Sequence, residues 1–278
     1  MSSNLKQCVR VLAVAAATVS AAFGQDPWAD RVVSYQPGTT AVPGYDEPLT
    51  ALGSPERFTG ELAGFPGVVS IFNSPFGTDE IVSIGEGGQL TLAFDQPITN
   101  DASHPFGVDF IIFGNAFFSD AGWPKGRIGD PPILAAEGPM RVSVSRDGVD
   151  YTSLGDVMEG LFPTQGYLDA GPYDVNPGNV PTNFTRPVDP MLSLEDFAGL
   201  RFSQVLELYQ GSGGGIPIDI AASGLAAVRF IRLEVFDDGN PNNDISVEID
   251  AISTVPEPAS ILMLMLAVCV AAAKRRWA

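Results

Sequence analysis

Short runs of alternating apolar and polar residues, separated by proline and glycine, constrain the fold of this chain more than any other feature. Gln89–Phe94 places Leu90, Leu92 and Phe94 on one face of a strand, because successive side chains of a strand point to opposite sides of the sheet. Val108–Phe113 is apolar on both faces, which is typical of a strand in the middle of a sheet. The sequence shows no amphipathic segment of three or more helical turns. This pattern predicts an all-β fold, an antiparallel β-sandwich with long loops.

Further runs predict the other strands and one hairpin. The remaining strands are expected at Val32–Tyr35, Val68–Phe72, Glu80–Ile84, Val228–Phe236 and Ile245–Ile252. Arg141–Leu154 holds Asp147 and Gly148 between two alternating runs, and this dipeptide predicts a tight hairpin turn. In the last predicted strand, Glu248 and Asp250 alternate with apolar residues, so we expect both acids to face solvent.

A proline-rich stretch interrupts the strand pattern. Residues 155–192 contain six prolines and several glycines and asparagines, and they predict a long insertion or loop. Directly after it, Ser193–Phe197 is expected to form a short helix. Ser193 would cap that helix, with Asp196 at the third helical position.

The N-terminus has the layout of a secretory signal peptide. Lys6 and Arg10 precede an apolar run, and small residues at Ala22 and Gly24 favour cleavage between Gly24 and Gln25. We therefore expect residues 1–24 to form a signal helix that signal peptidase removes. A buried first helix of the domain is the alternative.

The C-terminus shows three ordered elements. They are Pro256-Glu257-Pro258, an apolar run over Ile261–Ala273, and Lys274-Arg275-Arg276. As a hydrophobic helix the 13-residue run spans about 20 Å, whereas a bilayer core is about 30 Å thick. This length favours a transient sorting signal over a permanent anchor, which is the alternative. The basic cluster is expected to stay cytoplasmic, leaving the body of the protein outside.

Residues 255–278 closely resemble the PEP-CTERM sorting signal of exported bacterial proteins. The resemblance implies recognition by an exosortase and removal of the tail. It also implies release to the cell surface or the extracellular polysaccharide matrix. Under this interpretation the protein contacts the membrane only through its two processed ends.

Removal of both ends changes the composition of the body, residues 25–254. Five basic residues and one acid leave, which moves the formal net charge from -18 to -22. Such a negative charge argues against a nucleic-acid partner, because phosphate binding needs basic residues. Both cysteines, Cys8 and Cys269, leave as well, which excludes disulfides and a cysteine nucleophile in the body. The stability of the body must then come from one apolar core, with bound metal as a further source.

The body also resembles a galactose-binding-like jelly roll of the discoidin type. The resemblance rests on the strand and hairpin at Val142–Tyr151 and on the closing runs Val228–Leu233 and Asp250–Ile252. It implies a sandwich that binds carbohydrate, lipid or protein through its loops, often with a structural calcium ion. Residues 155–192 depart from the compact loops of that fold, and fold alone does not select among these ligands.

The segment between the last two predicted strands is rich in oxygen ligands. Its candidate calcium ligands are Asp237, Asp238, Asn240, Asn243 and Asp244, and calcium takes six to eight oxygens from such groups. The segment is not an EF-hand, because aligning Gly239 with the invariant glycine puts Ile245 where a glutamate is required. Aspartate, asparagine and glycine also form solvated turns, so a simple polar turn remains the alternative.

The sequence singles out no catalytic group. It lacks a nucleophile elbow, a zinc-protease motif and a Walker loop. The single histidine, His104, lies in a turn and is predicted to be exposed. Four aromatic residues lie in segments rich in proline and glycine, where they are candidates for stacking on sugars: Trp28, Trp123, Tyr167 and Tyr173. Core packing is the more common role of such residues.

Together these features predict a non-catalytic, exported protein of the cell surface or extracellular matrix. We expect it to bind extracellular polysaccharide and to hold a structural calcium ion. One alternative is a secreted carbohydrate-active enzyme, a glycosidase or lyase, since the body has many carboxylates from which a catalytic pair could come. The second alternative is a purely structural surface protein with protein partners.

Overall fold

A computed structural model describes residues 26–135, 138–158, 160–236 and 245–256. Trp28–Pro256 form one compact unit. The other unit, Met1–Pro27 with Glu257–Ala278, lies outside the described ranges except for Asp26 and Pro27. The expected signal helix and C-terminal hydrophobic helix therefore fall outside the described residues. Within the described ranges, no helix is both long and apolar enough to cross a membrane.

The described elements are mostly strands. In chain order they are β1 (Arg31–Gln36), β2 (Phe58–Thr59), β3 (Gly67–Val68), β4 (Val82–Gly85), β5 (Gln89–Thr99), β6 (Phe110–Gly114), β7 (Phe117–Phe118), β8 (Leu134–Ala135), β9 (Pro139–Ser145), β10 (Thr152–Met158), β11 (Ile216–Ile218), β12 (Ala227–Glu234) and β13 (Ser246–Thr254). The α-helix α1 spans Phe202–Tyr209, and short 3-10 helices span Pro48–Ala51, Pro105–Gly107, Leu194–Phe197 and Ile220–Ser223.

The larger sheet has the strand order β1-β5-β12-β9-β10, and every neighbouring pair is antiparallel. β12 lies at its centre, where Ile231 pairs with Leu92 of β5 on one side and with Val144 of β9 on the other. β9 and β10 form the hairpin that the sequence predicts, with Val144 opposite Thr152.

The turn of this hairpin is longer than the Asp-Gly dipeptide predicts. β9 ends at Ser145 and β10 begins at Thr152, and in this turn only Gly148 has a positive φ, 78°. The Ser145 hydroxyl accepts hydrogen bonds from the backbone N–H groups of Asp147 and Gly148. The Asp147 carboxylate accepts two more from the residues after Gly148. Side chains thus satisfy the N–H groups of a wider turn.

The smaller sheet has the strand order β11-β6-β13-β4 and is also antiparallel. β13 pairs with β4 on one side and β6 on the other, so Ile249 lies opposite both Val82 and Gly114. β6 is buried on both faces, as its sequence predicts, from Phe110 through Phe113.

Apolar side chains from both sheets meet in one core, which confirms the predicted all-β sandwich. The larger sheet contributes Leu90, Leu92, Phe94, Val142, Val144, Ile231 and Leu233, and the smaller sheet contributes Val82, Ile84, Phe110, Ile112, Val247, Ile249 and Ile252. Burial of each such side chain stabilises the fold by about 1.5–3 kcal/mol.

The predicted strand at Val68–Phe72 is wrong beyond its first residue. β3 ends at Val68, and Ser70 and Asn73 then exchange backbone hydrogen bonds across a turn. The apolar run here serves burial rather than pairing, because Ile71 and Phe72 enter a second core.

This second core organises much of the predicted 155–192 insertion. β10 extends to Met158, so the first residues of the insertion belong to the larger sheet. Beyond them, the chain packs around α1 and the 3-10 helix at Leu194–Phe197, which Ser193 and Asp196 cap as predicted. The buried members of this core are Ile71, Phe72, Phe118, Ile128, Phe162, Val188, Phe197, Phe202, Val205 and Tyr209. We call residues 117–135 and 160–215 the α1 lobe.

Candidate functional site

Most residues that the sequence analysis assigned to sites lie outside the described ranges. These are the calcium candidates Asp237, Asp238, Asn240, Asn243 and Asp244, the cleavage residues Gly24 and Gln25, and the sorting residues Glu257, Pro258, Lys274, Arg275 and Arg276. Pro256 is described and is exposed just after the end of β13. These assignments stay predictions.

A buried carboxylate, Glu86, lies in a turn that hydrogen bonds link to the residues on both sides of the 237–244 segment, on one side through Thr40. In the turn between β4 and β5, the N–H of Gly87 donates to the carbonyl of Val235 at 2.9 Å. Nearby, the Thr40 hydroxyl donates to the carbonyl of Ile245 and accepts from the N–H of Glu86 at 2.7 Å. Glu86 is only 9% exposed, and its Oε1 has no hydrogen-bond partner among the described residues. An oxygen buried in this way is unfavourable unless a donor or a cation meets it.

Glu248 and Asp250 do not face solvent, so that prediction is wrong. They are 2% and 1% exposed. A register shift between Ile249 and Ala251 in the pairing with β6 interrupts the alternation at Asp250. The segment before β2 then covers this face of the sheet, since the N–H of Glu56 donates to both carboxylate oxygens of Asp250 at 3.0 and 3.2 Å.

Glu56, Glu80, Glu248 and Asp250 together form what we call the carboxylate cluster. Glu80 accepts hydrogen bonds from the Thr59 hydroxyl and from three backbone N–H groups. Glu248 accepts one from a serine hydroxyl of β4 at 2.8 Å. The cluster thus connects β13 to the chain on both sides of the β2–β3 hairpin.

Electrostatics distinguishes two members of the cluster. Burial, followed by repulsion from Glu80, Asp79 and Glu61, raises the pKa of Glu56 to about 7. Burial also raises the pKa of Asp250 well above its usual range, and the negative charges of Glu56 and Glu80 add to this effect. The hydrogen bond from the Glu56 N–H opposes that rise without cancelling it.

The geometry of the cluster indicates a structural role. Glu80 and Asp250 already accept hydrogen bonds from protein groups, and Asp250 has almost no exposed surface through which to meet a substrate. Within the described ranges, no three acidic, histidine or cysteine side chains are arranged to hold a metal ion. A small crevice lined by apolar residues such as Ile112 and Phe162 includes none of the four carboxyl groups.

His104 is buried, which corrects its predicted exposure. It is 3% exposed, and its Nδ1 lies 2.8 Å from Oδ1 of Asp109. The other carboxylate oxygen of Asp109 accepts from the N–H of Ile220 at 2.9 Å. The pair therefore joins the loop before β6 to the 3-10 helix at Ile220–Ser223. Turn-forming neighbours of His104 indicate the local turn but not what packs over it.

Two of the four predicted sugar-stacking aromatics come together on the α1 lobe. The ring centroids of Trp123 and Tyr173 lie 4.4 Å apart, with the ring planes at 62°. Trp123 is 70% exposed, whereas Tyr173 is half-buried and also contacts Phe72. We call Trp123 and Tyr173 the aromatic platform.

The other two aromatics have packing roles. Trp28 meets Phe184 edge to face at a centroid distance of 6.5 Å. Tyr167 is half-buried, with the guanidinium carbon of Arg57 at 6.0 Å from its ring centre. Neither presents an aromatic face as open as that of Trp123.

Asp120 holds the loop that carries Trp123. Its Oδ1 accepts from the N–H groups of Gly122 and Arg127 at 2.7 and 2.8 Å. Its Oδ2 accepts from the N–H of Gly126 at 3.1 Å and from the Tyr173 hydroxyl at 3.2 Å. One carboxylate thus closes residues 120–127, which we call the Trp123 loop, and also binds the second ring of the platform.

The sequence does not single out Asp120 as a residue of this site. An aspartate two residues before Gly122 is a known signal for a side-chain-capped turn, but the bond to Tyr173 has no local signal. Partial burial alone would raise the pKa of Asp120. The three backbone donors and the Tyr173 hydroxyl outweigh burial, and they lower the pKa below its usual value.

Comparison with known proteins adds no family assignment. No protein-family model matches the chain, and no relative was found among curated proteins. Functional inference therefore depends on the residues and the geometry described above.

The raised pKa of Glu56 predicts that stability falls as the pH increases. The folded-state pKa of Glu56, about 7, exceeds its ordinary value of 4.5, so the contribution of Glu56 is complete below pH 4.5 and is lost as the pH rises through 7. After allowance for its exposed part, we expect a loss on the order of 1–2 kcal/mol between pH 5 and pH 8. Urea unfolding at both pH values measures it.

Glu56→Gln should flatten this dependence, because glutamine cannot ionise. Glu207→Gln, on the exposed side of α1, is the matched control and should retain the wild-type slope. An unchanged pH dependence in Glu56→Gln would contradict the electrostatic interpretation of the carboxylate cluster.

Loss of the Asp120 carboxylate should loosen the Trp123 loop. Asp120→Ala leaves three N–H groups without their acceptor, and we expect the free energy of unfolding to drop by about 1–3 kcal/mol. Acrylamide quenching of tryptophan fluorescence should increase at the same time. Asp189→Ala, which removes the acceptor of one N–H in the same lobe, should have a smaller effect on both measurements. Equal effects of the two variants would show that Asp120 has no special role.

Proposed function

We propose that residues 25–254 form a non-catalytic polysaccharide-binding module and that the aromatic platform is its binding surface. The observation that carries this proposal is the exposure of Trp123 on a loop that three backbone hydrogen bonds to Asp120 close, next to Tyr173, whose hydroxyl donates to the same carboxylate. Tryptophan is highly buried on average, so an indole ring that is 70% exposed on a hydrogen-bonded loop, beside a second aromatic ring, favours a binding role. The C–H groups on the face of a pyranose ring pack well against an aromatic ring.

The rest of the proposed function concerns export. We infer that signal peptidase cleaves between Gly24 and Gln25 and that an exosortase recognises Pro256, Glu257 and Pro258. The protein would then reside at the cell surface or in the extracellular matrix. The layout of both termini supports this proposal.

For the body, we propose the galactose-binding-like jelly-roll topology. Two antiparallel sheets of five and four strands around one core support it. In that topology ligands bind at loops, and the Trp123 loop is such a segment.

Removal of Trp123 should weaken binding to polysaccharide. With the purified full chain and the host's extracellular polysaccharide, we expect saturable co-sedimentation. Trp123→Ala should reduce the affinity at least about tenfold, which equals about 1.4 kcal/mol. Met191→Ala, which truncates another exposed apolar side chain of the same lobe, should bind as the wild type does.

Other outcomes of this experiment select the alternatives. Release of soluble sugar during incubation would indicate a carbohydrate-active enzyme. Absence of both binding and product would favour a purely structural surface protein. Wild-type affinity in Trp123→Ala would exclude the aromatic platform as the binding surface.

We also propose that the 237–244 segment binds a structural calcium ion. Its three aspartates and three asparagines offer suitable oxygens. Glu86 lies in the turn whose Gly87 N–H donates to Val235, just before that segment. Its buried Oε1 has no hydrogen-bond partner among the described residues, which supports a cation there. With a formal net charge of -22 for the body, a bound cation would also lower the self-repulsion of the fold.

Calcium should therefore raise the melting temperature of the purified full chain, and a chelator should reverse the increase. Asp237→Asn with Asp244→Asn should abolish the response, and Glu86→Gln should reduce it, because a neutral amide binds calcium more weakly than a carboxylate does. Asp147→Asn, in the β9–β10 turn, is the control and should respond as the wild type does. The same melting temperature with calcium and with chelator would remove the calcium proposal.

A further inference from the structure

Three of the ten basic residues of the body lie around the Trp123 loop. Lys125 and Arg127 belong to the loop itself, and Arg201 pairs with Arg127 across an antiparallel bridge. All three are exposed. We call Lys125, Arg127 and Arg201 the basic patch. Lys125 is the only lysine of the body.

The backbone holds the basic patch together. Because residues paired across an antiparallel bridge project their side chains to the same side, about 5 Å apart, Arg127 and Arg201 are neighbours. The Nε of Arg127 donates to the carbonyl of Gly199 at 3.3 Å, which holds its side chain against the turn that precedes Arg201. Lys125 follows Trp123 by two residues in the same closed loop.

No described side chain forms an ion pair with the basic patch. In the described part of the chain, Lys125, Arg127 and Arg201 form no ion pair, whereas Arg31 and Arg141 elsewhere pair with Asp95 and Asp156. The chain has 33 acidic residues that could pair with these three cations. The lack of an ion pair at the patch therefore favours a role in binding.

Two acids close to the patch in sequence, Asp120 and Asp130, offset its charge only in part. Asp120 lies in the same loop and keeps its negative charge, which offsets one of the three positive charges; its hydrogen bonds go to three backbone N–H groups and the Tyr173 hydroxyl rather than to the cations. Asp130 is exposed three residues beyond Arg127. Residues 120–130 together with Arg201 hold three basic groups against these two acids, a formal charge of +1.

We infer that the aromatic platform and the basic patch together bind an anionic polysaccharide, one whose sugars carry carboxylate or sulfate groups. This inference rests on the proposed function and narrows its ligand class. The aromatic ring would take the apolar face of a sugar, and the cations would take its acidic substituents. Guanidinium groups bind such oxyanions through two parallel hydrogen bonds. Binding through this patch is direct and needs no calcium bridge.

Matched probes test the inference with the full chain in 0.15 M salt and a chelator. The probes are dextran, carboxymethyl dextran and dextran sulfate, which share one backbone and differ in charge. In affinity electrophoresis we expect retention by at least one charged polymer to exceed retention by dextran about tenfold. Comparison of the two charged polymers distinguishes a carboxylate ligand from a sulfate ligand.

Matched variants then assign the retention to the patch. Lys125→Gln with Arg127→Gln should lower it about tenfold, whereas Arg146→Gln with Arg186→Gln removes two exposed arginines elsewhere and should leave it unchanged. Arg201→Gln alone should lower the retention by less than the Lys125/Arg127 double variant does. Thermal unfolding checks that each variant is folded. Equal retention of the wild type and the Lys125/Arg127 variant, including no retention of either, overturns the inference.

Failure of the proposed function gives a different result. If Trp123→Ala still weakens binding to the host polysaccharide while neutralisation of the patch has no effect, the proposed polysaccharide-binding function is retained and its ligand is neutral. If Trp123→Ala has no effect on that binding, the proposed binding surface itself is wrong.

Discussion

The face-to-face burial of the two sheets is the interaction on which the rest of the structure depends. No cysteine occurs between residues 25 and 254, so no disulfide contributes to the stability of the body. The central strands β12 and β13 each pair on both edges and direct apolar side chains into the shared core. The pairs β2–β3 and β7–β8 form small separate sheets, and the α1 lobe has a second core of its own.

The outer side of the smaller sheet shows how a second layer is attached. The Glu56 N–H contacts Asp250 of β13, and the next residue, Arg57, donates to the carbonyls of Gly166 and Thr182 in the α1 lobe. The guanidinium carbon of Arg57 also lies 3.9 Å from the ring centre of Phe184. Two consecutive residues thus connect the sheet to the lobe that carries the aromatic platform. The lobe has its own apolar core, which allows its surface loop to be rigid without being buried.

Local pattern predicted the strands well and their environment poorly. The alternation in Gln89–Phe94 and the cap at Ser193 depend on neighbouring residues in the chain, so both could be predicted. The burial of Glu248 and Asp250 could not, because a distant segment covers them and a bulge shifts their pairing. The burial of His104 could not be predicted for the same reason, since its partner Asp109 accepts a hydrogen bond from Ile220, which is distant in the chain.

By itself the sequence determined the class of fold, an antiparallel sandwich built from short strands, and the strongly acidic character of the body. These properties follow from residue types and short-range spacing, which a linear chain displays directly. Only the tertiary structure decided that Trp123 meets Tyr173, that Asp120 supports both, and that Arg127 lies beside Arg201. Contacts of that kind join residues far apart in the chain, and they form only when the second core closes around α1. The candidate binding surface is therefore a product of long-range packing rather than of any local motif.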